Sequence, residues 1–272
     1  MQLSAEQIAD FRRTILDNYR TYGRTFSWRK TDNPYEILVS EMMLQQTQTL
    51  RVVPEYEAWL NRFPTVRSLA EAPLADVLAQ WNGLGYNRRA VYLQKACAEV
   101  CTQYGGKFPS SAAELEQLPG IGPYTARAVC TFAFNSPEVF VETNIRSVFI
   151  FFFFRNTDEK VTDSQIMPLV GQTLVKDNPR EWYYALMDYG AELKKYTVNP
   201  SRRSARYAKQ SKFEGSLRQA RGAIIRQLAE KGKLTLEEIS AAEHIENERL
   251  TEAAEKLAQE NLIQVDNGKY FL

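Results

Sequence analysis

The sequence predicts an all-α protein: two helical domains followed by a small winged-helix-like module. Apolar residues recur at helical spacing from Ile8 to Leu193, and proline and glycine interrupt them rather than strand-like alternation. Inside that region, Leu118 to Val129 places a G-x-G turn directly ahead of a run of small residues with helical character. Past Gly215 the composition shifts, and three short helical segments precede an Asn267-Gly268 hairpin signal. The boundaries read as residues 1–25 with 135–213, then 26–134, then 214–272.

At 272 residues the chain is long enough to bury a sizeable core. Three cysteines (Cys97, Cys101, Cys130) form neither an even disulfide set nor a metal-ligand cluster, which suits a reducing compartment. His244 is the one histidine, so no histidine triad and no zinc site of the usual composition can be built. The N-terminus has no secretory apolar region, and the longest apolar run, Val148 to Phe154, is too short to cross a bilayer. The expectation is a cytoplasmic monomer that binds no membrane.

In chain order, Ser4 with Gln7 forms a capping box, and Ile8, Phe11, Ile15 and Tyr19 follow at helical spacing. Tyr22 to Lys30 reads as a loop carrying Phe26, Trp28 and Arg29. Asn33-Pro34 opens a helix expected to include residues 40–48, Ser-Glu-Met-Met-Leu-Gln-Gln-Thr-Gln. Glu41 lies on that helix among apolar neighbours, where a carboxyl has a raised pKa and can serve as a general acid. The plainer reading is a solvated surface glutamate. The uncharged amides behind it can enter a duplex and bond base edges without burying charge.

From Val52 to Val100 the pattern is helical, broken at Phe63-Pro64, Ala72-Pro73 and Gly83-Leu-Gly-Tyr86. That tetrad, followed by Arg88 and Arg89, fits a close backbone approach to DNA with an aromatic ring to stack, or a plain inter-helix turn. Gly120 and Gly122 can adopt angles closed to other residues and leave room for a large ligand. The helix beginning near Tyr124 then offers its N-terminal amides to a phosphate. An ordinary helix-turn-helix corner is the alternative. Val148 to Phe154 reads as a core helix packed by the hairpin helix, with a base-stacking platform as the other reading.

These motifs resemble the helix-hairpin-helix DNA glycosylases of the endonuclease III and MutY superfamily. The resemblance covers about residues 20–193 and runs through the hairpin, the Gly-Leu-Gly-Tyr tetrad and Met187-Asp-Tyr-Gly-Ala191. Residues 40–48 point to the adenine glycosylase branch. The resemblance implies that Glu41 protonates the base and that Trp28 and Arg29 line its pocket. It also implies that Gln45, Gln46, Thr47, Gln48, Tyr86, Gly120, Gly122 and Thr125 contact DNA. Where bifunctional members carry a Schiff-base lysine this chain has Tyr124, which forms no imine, so base loss without strand cleavage is expected.

Twenty residues past Gly122, Glu142-Thr143-Asn144 stands where the adenine branch has Asp-Gly-Asn. The resemblance gives Glu142 the task of stabilising the sugar cation and Asn144 that of orienting it. The extra methylene and Thr143 depart from the pattern, which leaves a non-catalytic, structure-specific DNA-binding protein as a rival. A glycosylase for another damaged base is a second rival. The relatives then carry four cysteines around an iron–sulfur cluster. Residues 194–212 have no cysteine and no acid, but hold Lys194, Lys195, Arg202, Arg203, Arg206, Lys209 and Lys212. No cluster is therefore expected, and the basic loop would grip phosphates instead. A monovalent cation bridging the hairpin to a phosphate is the one ion expected.

The C-terminal module reads as helices over 218–231, 237–242 and 247–261. Residues 214–272 hold 8 basic and 11 acidic side chains, net −3, and the third helix carries Glu248, Glu252, Glu255 and Glu260. Such a helix would be repelled from a major groove, so a packing or protein-contact role is expected. The partner expected overall is double-stranded DNA carrying a lesion or mismatch.

Overall fold

A computed structural model describes residues 1–155, 157, 159–208 and 212–272, which leaves Lys209 of the basic run outside the described residues. Helices dominate it, and the one sheet among these residues has two strands. The chain forms two compact units. The first comprises Met1–Ile37, Ser110–Glu116 and Gly122–Lys209; the second comprises Leu38–Pro109, Gln117–Ile121 and Gln210–Leu272.

In the first unit, α1 (Ala5–Tyr22) starts at the expected capping box: the Ser4 side chain accepts from Gln7 N, and Gln7 reaches back to Ser4 N. A 3-10 turn, Ser27–Arg29, occupies the segment read as a loop. The unit division falls within α2 (Pro34–Leu44), which has proline at its first position as expected.

The second unit takes up the punctuated stretch as α3 (Thr49–Arg62), α4 (Val66–Ala70), α5 (Leu74–Gln80) and α6 (Arg88–Gln103). Each break sits at a proline or glycine named from the sequence, because those residues lack either a backbone donor or a Cβ. Its core holds Trp59 and Trp81 edge to face, with ring centroids 5.3 Å apart.

The first unit resumes with α7 (Ala112–Leu115), α8 (Pro123–Phe134), α9 (Thr143–Phe153), α10 (Asp163–Thr173) and α11 (Pro179–Tyr196). Phe11 of α1 lies at the centre of an aromatic cluster, 5.0 to 5.8 Å from the rings of Phe149, Phe152, Phe153 and Trp182. The phenylalanine-rich helix is core, but its main partner is α11 rather than the hairpin helix α8. Only its middle, Ile145 to Ile150, is fully enclosed; Phe151 to Phe154 are half-buried.

The second unit ends with α12 (Leu217–Lys231), α13 (Leu236–Glu243), α14 (Asn247–Gln259), β1 (Gln264–Asp266) and β2 (Lys269–Phe271). The strands pair antiparallel, with Asn267 and Gly268 at φ 49° and 75°, the left-handed angles an Asn-Gly turn supplies. Helix α12 buries Ala220, Ala223, Ile224, Ile225 and Leu228, and packs on α14 and α5. No described helix is long and apolar enough to cross a membrane.

Candidate active site

The first unit assembles one constellation at the start of α9. Glu142 is its N-cap: Oε1 accepts from Asn144 N at 2.6 Å and Ile145 N at 2.8 Å. The Asn144 side-chain amide donates to Glu142 Oε2 at 3.3 Å and accepts from Lys194 Nζ at 2.6 Å. Burial pushes the Glu142 carboxyl above the usual glutamate range, while the two amides, Lys194 and Arg146 pull it back. Arg146 is itself held by Asp163 through bonds of 2.7 and 3.0 Å.

A second cluster in the same unit holds the expected base-pocket residues. Trp28 is buried and stacks on Phe26 with centroids 4.8 Å apart. Arg29 donates to both oxygens of Asp188 at 2.8 Å and lies 4.5 Å from the Tyr184 ring centroid. Arg24 adds its backbone N–H at 2.7 Å and its Nε at 2.8 Å to the same carboxylate. Burial alone would raise Asp188, but the two guanidinium groups win and hold it below the usual aspartate value. Tyr124 is half-buried, edge-on to Phe140 at 5.7 Å, and Thr125 is buried.

In the second unit, Glu41 is buried, with 7% exposure, on the last turns of α2. The helix stops at Leu44, short of the 40–48 span expected, and Gln46 turns left-handed at φ 55°. Arg89 supplies the physical reason. Its Nη1 caps the helix end by donating to the carbonyls of Met42, Met43 and Gln45 at 2.7, 3.0 and 2.7 Å. Its Nη2 donates to the Leu84 and Gly85 carbonyls at 3.0 and 2.9 Å, and to Thr47 Oγ1 at 3.3 Å. The sequence groups Arg89 with the DNA-facing tetrad, but it is buried and rivets the glutamine turn to the tetrad. Burial pulls its pKa down to about 10, still cationic at neutral pH.

The riveted loops bring Gln45, Gln46 and Tyr86 to one cavity of about 610 Å³, also lined by Tyr92, Gly120 and Arg218. Tyr86 is left-handed at φ 50°, and 39% of it is exposed. Gln48 N-caps α3 without a side-chain bond. Of the two hairpin glycines, only Gly120 needs its freedom, at φ 74° with a Cβ site 2.4 Å from Tyr92 Cβ. Gly122 has an ordinary extended φ of −88°, and the space where its Cβ would lie is open, which keeps the N-terminus of α8 uncovered by a side chain.

Residues 39–171 match the family model described as HhH-GPD superfamily base excision DNA repair protein. Within residues 39–171 the chain carries an HhH-GPD domain. It is 36% identical over 182 residues to the adenine DNA glycosylase of Buchnera aphidicola subsp. Baizongia pistaciae, covering 66% of this chain and 52% of that protein. With the adenine DNA glycosylase of Mycolicibacterium smegmatis it shares 42% over 135 residues, covering 49% and 46%. The chain spans about half the length of the curated relatives it matches. A thermostable thymine-DNA glycosylase structure superposes with a TM-score of 0.62 at 26% identity, over 68% of this chain and 87% of that one. A trapped endonuclease III–DNA covalent intermediate gives 0.55 at 22% over 76% and 92%, a likeness of fold alone.

The basic stretch does not form a single loop. Lys194 and Lys195 belong to the last turn of α11. Arg203 donates to the carbonyls of Phe154, Arg155 and Thr157, and Arg206 Nε lies 3.2 Å from Asp163 although 75% of its side chain is exposed. Arg202 is exposed. No cysteine stands between Lys194 and Lys212 to hold an iron–sulfur cluster, so this segment does not fit one. In the C-terminal module, Glu260 faces inward to Arg221 at 3.0 and 2.7 Å, while Glu248, Glu252 and Glu255 are exposed.

Sequence reasoning missed three contributors. In the sequence Lys194 reads as one of the basic residues that grip phosphates. Asp188 and Gly190 stand there only as part of the run Met187 to Ala191. The signal available for Gly190 was a glycine inside a helical pattern, which marks a close approach.

Proposed function

We propose that this HhH-GPD protein is a monofunctional DNA N-glycosylase. It removes a mispaired or damaged base, adenine in the first instance, from double-stranded DNA and leaves an abasic site. The observation that carries this reading is the fixed Glu142 carboxylate, oriented by two backbone amides and Asn144. Breaking an N-glycosidic bond passes through an oxocarbenium-like state, and a preorganised carboxylate lowers that barrier. Buried Glu41 is assigned the proton for the departing base, and water adds to the sugar. Tyr124 replaces an amine nucleophile, so no imine forms. Gln45, Gln46 and Tyr86 fill the stack vacated by the flipped base.

The names of the curated relatives support adenine as the base. We assign phosphate contacts to the open hairpin turn at Gly120 and Gly122, through a monovalent cation, and to Arg202. Thiolates are lacking in the 194–212 stretch, which supports work without an iron–sulfur cluster, and three free cysteines suit a reducing cytoplasm. The exposed glutamates of α14 fit a protein contact of the winged-helix-like module, on a chain that acts as a monomer. The capping bonds of Glu142 also favour one rival, a non-catalytic DNA-binding protein in which that glutamate only starts a helix.

One experiment separates the readings. Single-lesion duplexes, among them adenine opposite 8-oxoguanine and adenine opposite guanine, are incubated with wild-type protein and with E142Q, then treated with alkali or borohydride. Base loss without a borohydride-trapped adduct, and lost in E142Q, is expected. An adduct in high yield overturns the monofunctional assignment, and full activity of E142Q overturns the role of Glu142.

A further inference from the structure

Lys194 sits oddly for a residue of a phosphate-gripping loop. It lies on α11 one turn after Gly190, and both residues meet Asn144. Gly190 brings the two helices together, because its Cβ site would be 2.2 Å from Asn144 O. Residues four apart share a helix face, so the same approach that needs Gly190 delivers the Lys194 ammonium to Asn144 Oδ1 at 2.6 Å.

A cation beside a helix N-terminus works against the helix dipole, and α9 begins at this point. Lys194 is exposed as a residue, but desolvation of its amine where it meets Asn144 holds that amine below the usual lysine value, with Glu142 opposing the shift. Both penalties are offset by the Glu142 carboxylate. The other cations nearby are engaged elsewhere, Arg146 with Asp163 and Arg24 with Asp188. The Asn144 amide links the two ends, accepting from Lys194 through its oxygen and donating to Glu142 through its nitrogen. That pair of bonds fixes which way the amide points, and bonds in such a chain polarise one another.

We propose that Lys194 is a positioning residue for base removal: through Asn144 it orients the Glu142 carboxylate and supplies the positive charge that keeps it ionised when no sugar cation is present. This rests on the catalytic reading of Glu142. The groups facing that carboxylate are Lys194 from α11 and Arg146 from α9, with Arg24 bearing on Lys194.

The test measures single-turnover excision against pH, with adenine opposite 8-oxoguanine as substrate, for wild type, K194Q, K194R and E142Q, alongside DNA affinity and melting temperature. Glutamine keeps a donor and removes the charge; arginine keeps the charge. The expectation for K194Q is a loss of about tenfold or more at neutral pH, with the acid limb moved upward. Its Kd and melting temperature should stay at wild-type values, and K194R should recover most of the rate. A K194Q profile matching wild type while E142Q is inactive overturns the proposal alone. A loss confined to Kd makes Lys194 a phosphate contact and overturns it too. Full activity of E142Q, by contrast, removes the catalytic reading beneath it.

Discussion

Gly190 and Asn144 touch backbone to backbone, with the position of an absent Cβ 2.2 Å from the Asn144 carbonyl oxygen. Any side chain at 190 must push α11 from α9 at the residue that braces Glu142. G190A should therefore destabilise by about 1–3 kcal/mol, the range for overpacking. It should lower excision by a larger factor than stability alone explains, since displacement of about 1 Å can reduce a rate a hundredfold. Melting temperature and single-turnover rate on the same preparation check this; a normal rate in a destabilised protein contradicts it.

Asp188 should dominate part of the acid sensitivity. Its pKa is lower folded than unfolded because two arginines favour the charged form. The contribution is complete above the unfolded aspartate value of about 4 and disappears as pH falls through the lower folded value. D188N leaves Arg29, 8% exposed, without its counter-charge, a loss of about 3–5 kcal/mol at neutral pH. Urea midpoints between pH 7 and pH 3 should show wild type and variant converging toward the acid end.

Arg89 is expected to tolerate no replacement. Five backbone carbonyls and a hydroxyl accept from its two terminal nitrogens, a fork that lysine cannot reproduce. R89A should destabilise by about 3 kcal/mol or more through orphaned acceptors, and R89K should recover less than half of that. Chemical denaturation of the three proteins checks the order.

Arg202 and Arg203 are neighbours with opposite expected phenotypes. R203A removes bonds to the carbonyls that follow α9 and should lower the melting temperature. R202A should leave melting unchanged, weaken DNA binding at all sequences, and reduce the salt slope by about one. A normal salt slope in R202A would remove that residue from the DNA surface.

What could be read from the sequence was local. The Ser4–Gln7 capping box, the helix breaks at Pro64, Pro73 and Gly83, and the Asn267-Gly268 turn each depend on a few adjacent residues, and each is where the pattern put it. Glu142 was legible as a carboxylate twenty residues past Gly122, but its capping bonds and its brace were not. Lys194 and Asn144 are 50 residues apart, and Arg89 and Met42 47. Counting charge by segment misled for the same reason. Lys194, Arg203 and Glu260 all entered a regional sum, yet each points at an inward partner that the sum cannot contain.

Gln46 and Tyr86, two left-handed residues lining one cavity, have a kinetic consequence. Each holds a conformation that raises the folded energy by about 1 kcal/mol or more, and Arg89 keeps both loops there before any ligand arrives. A repair protein meets vast numbers of undamaged base pairs for every damaged one. If its probing loops had to order at each stop, that entropy would be lost again at every encounter and would lengthen every visit. On the proposed function, loops set in place by an internal cation would let the protein test a step and move on, and the time of search would be governed by diffusion along the duplex rather than by refolding at each base pair.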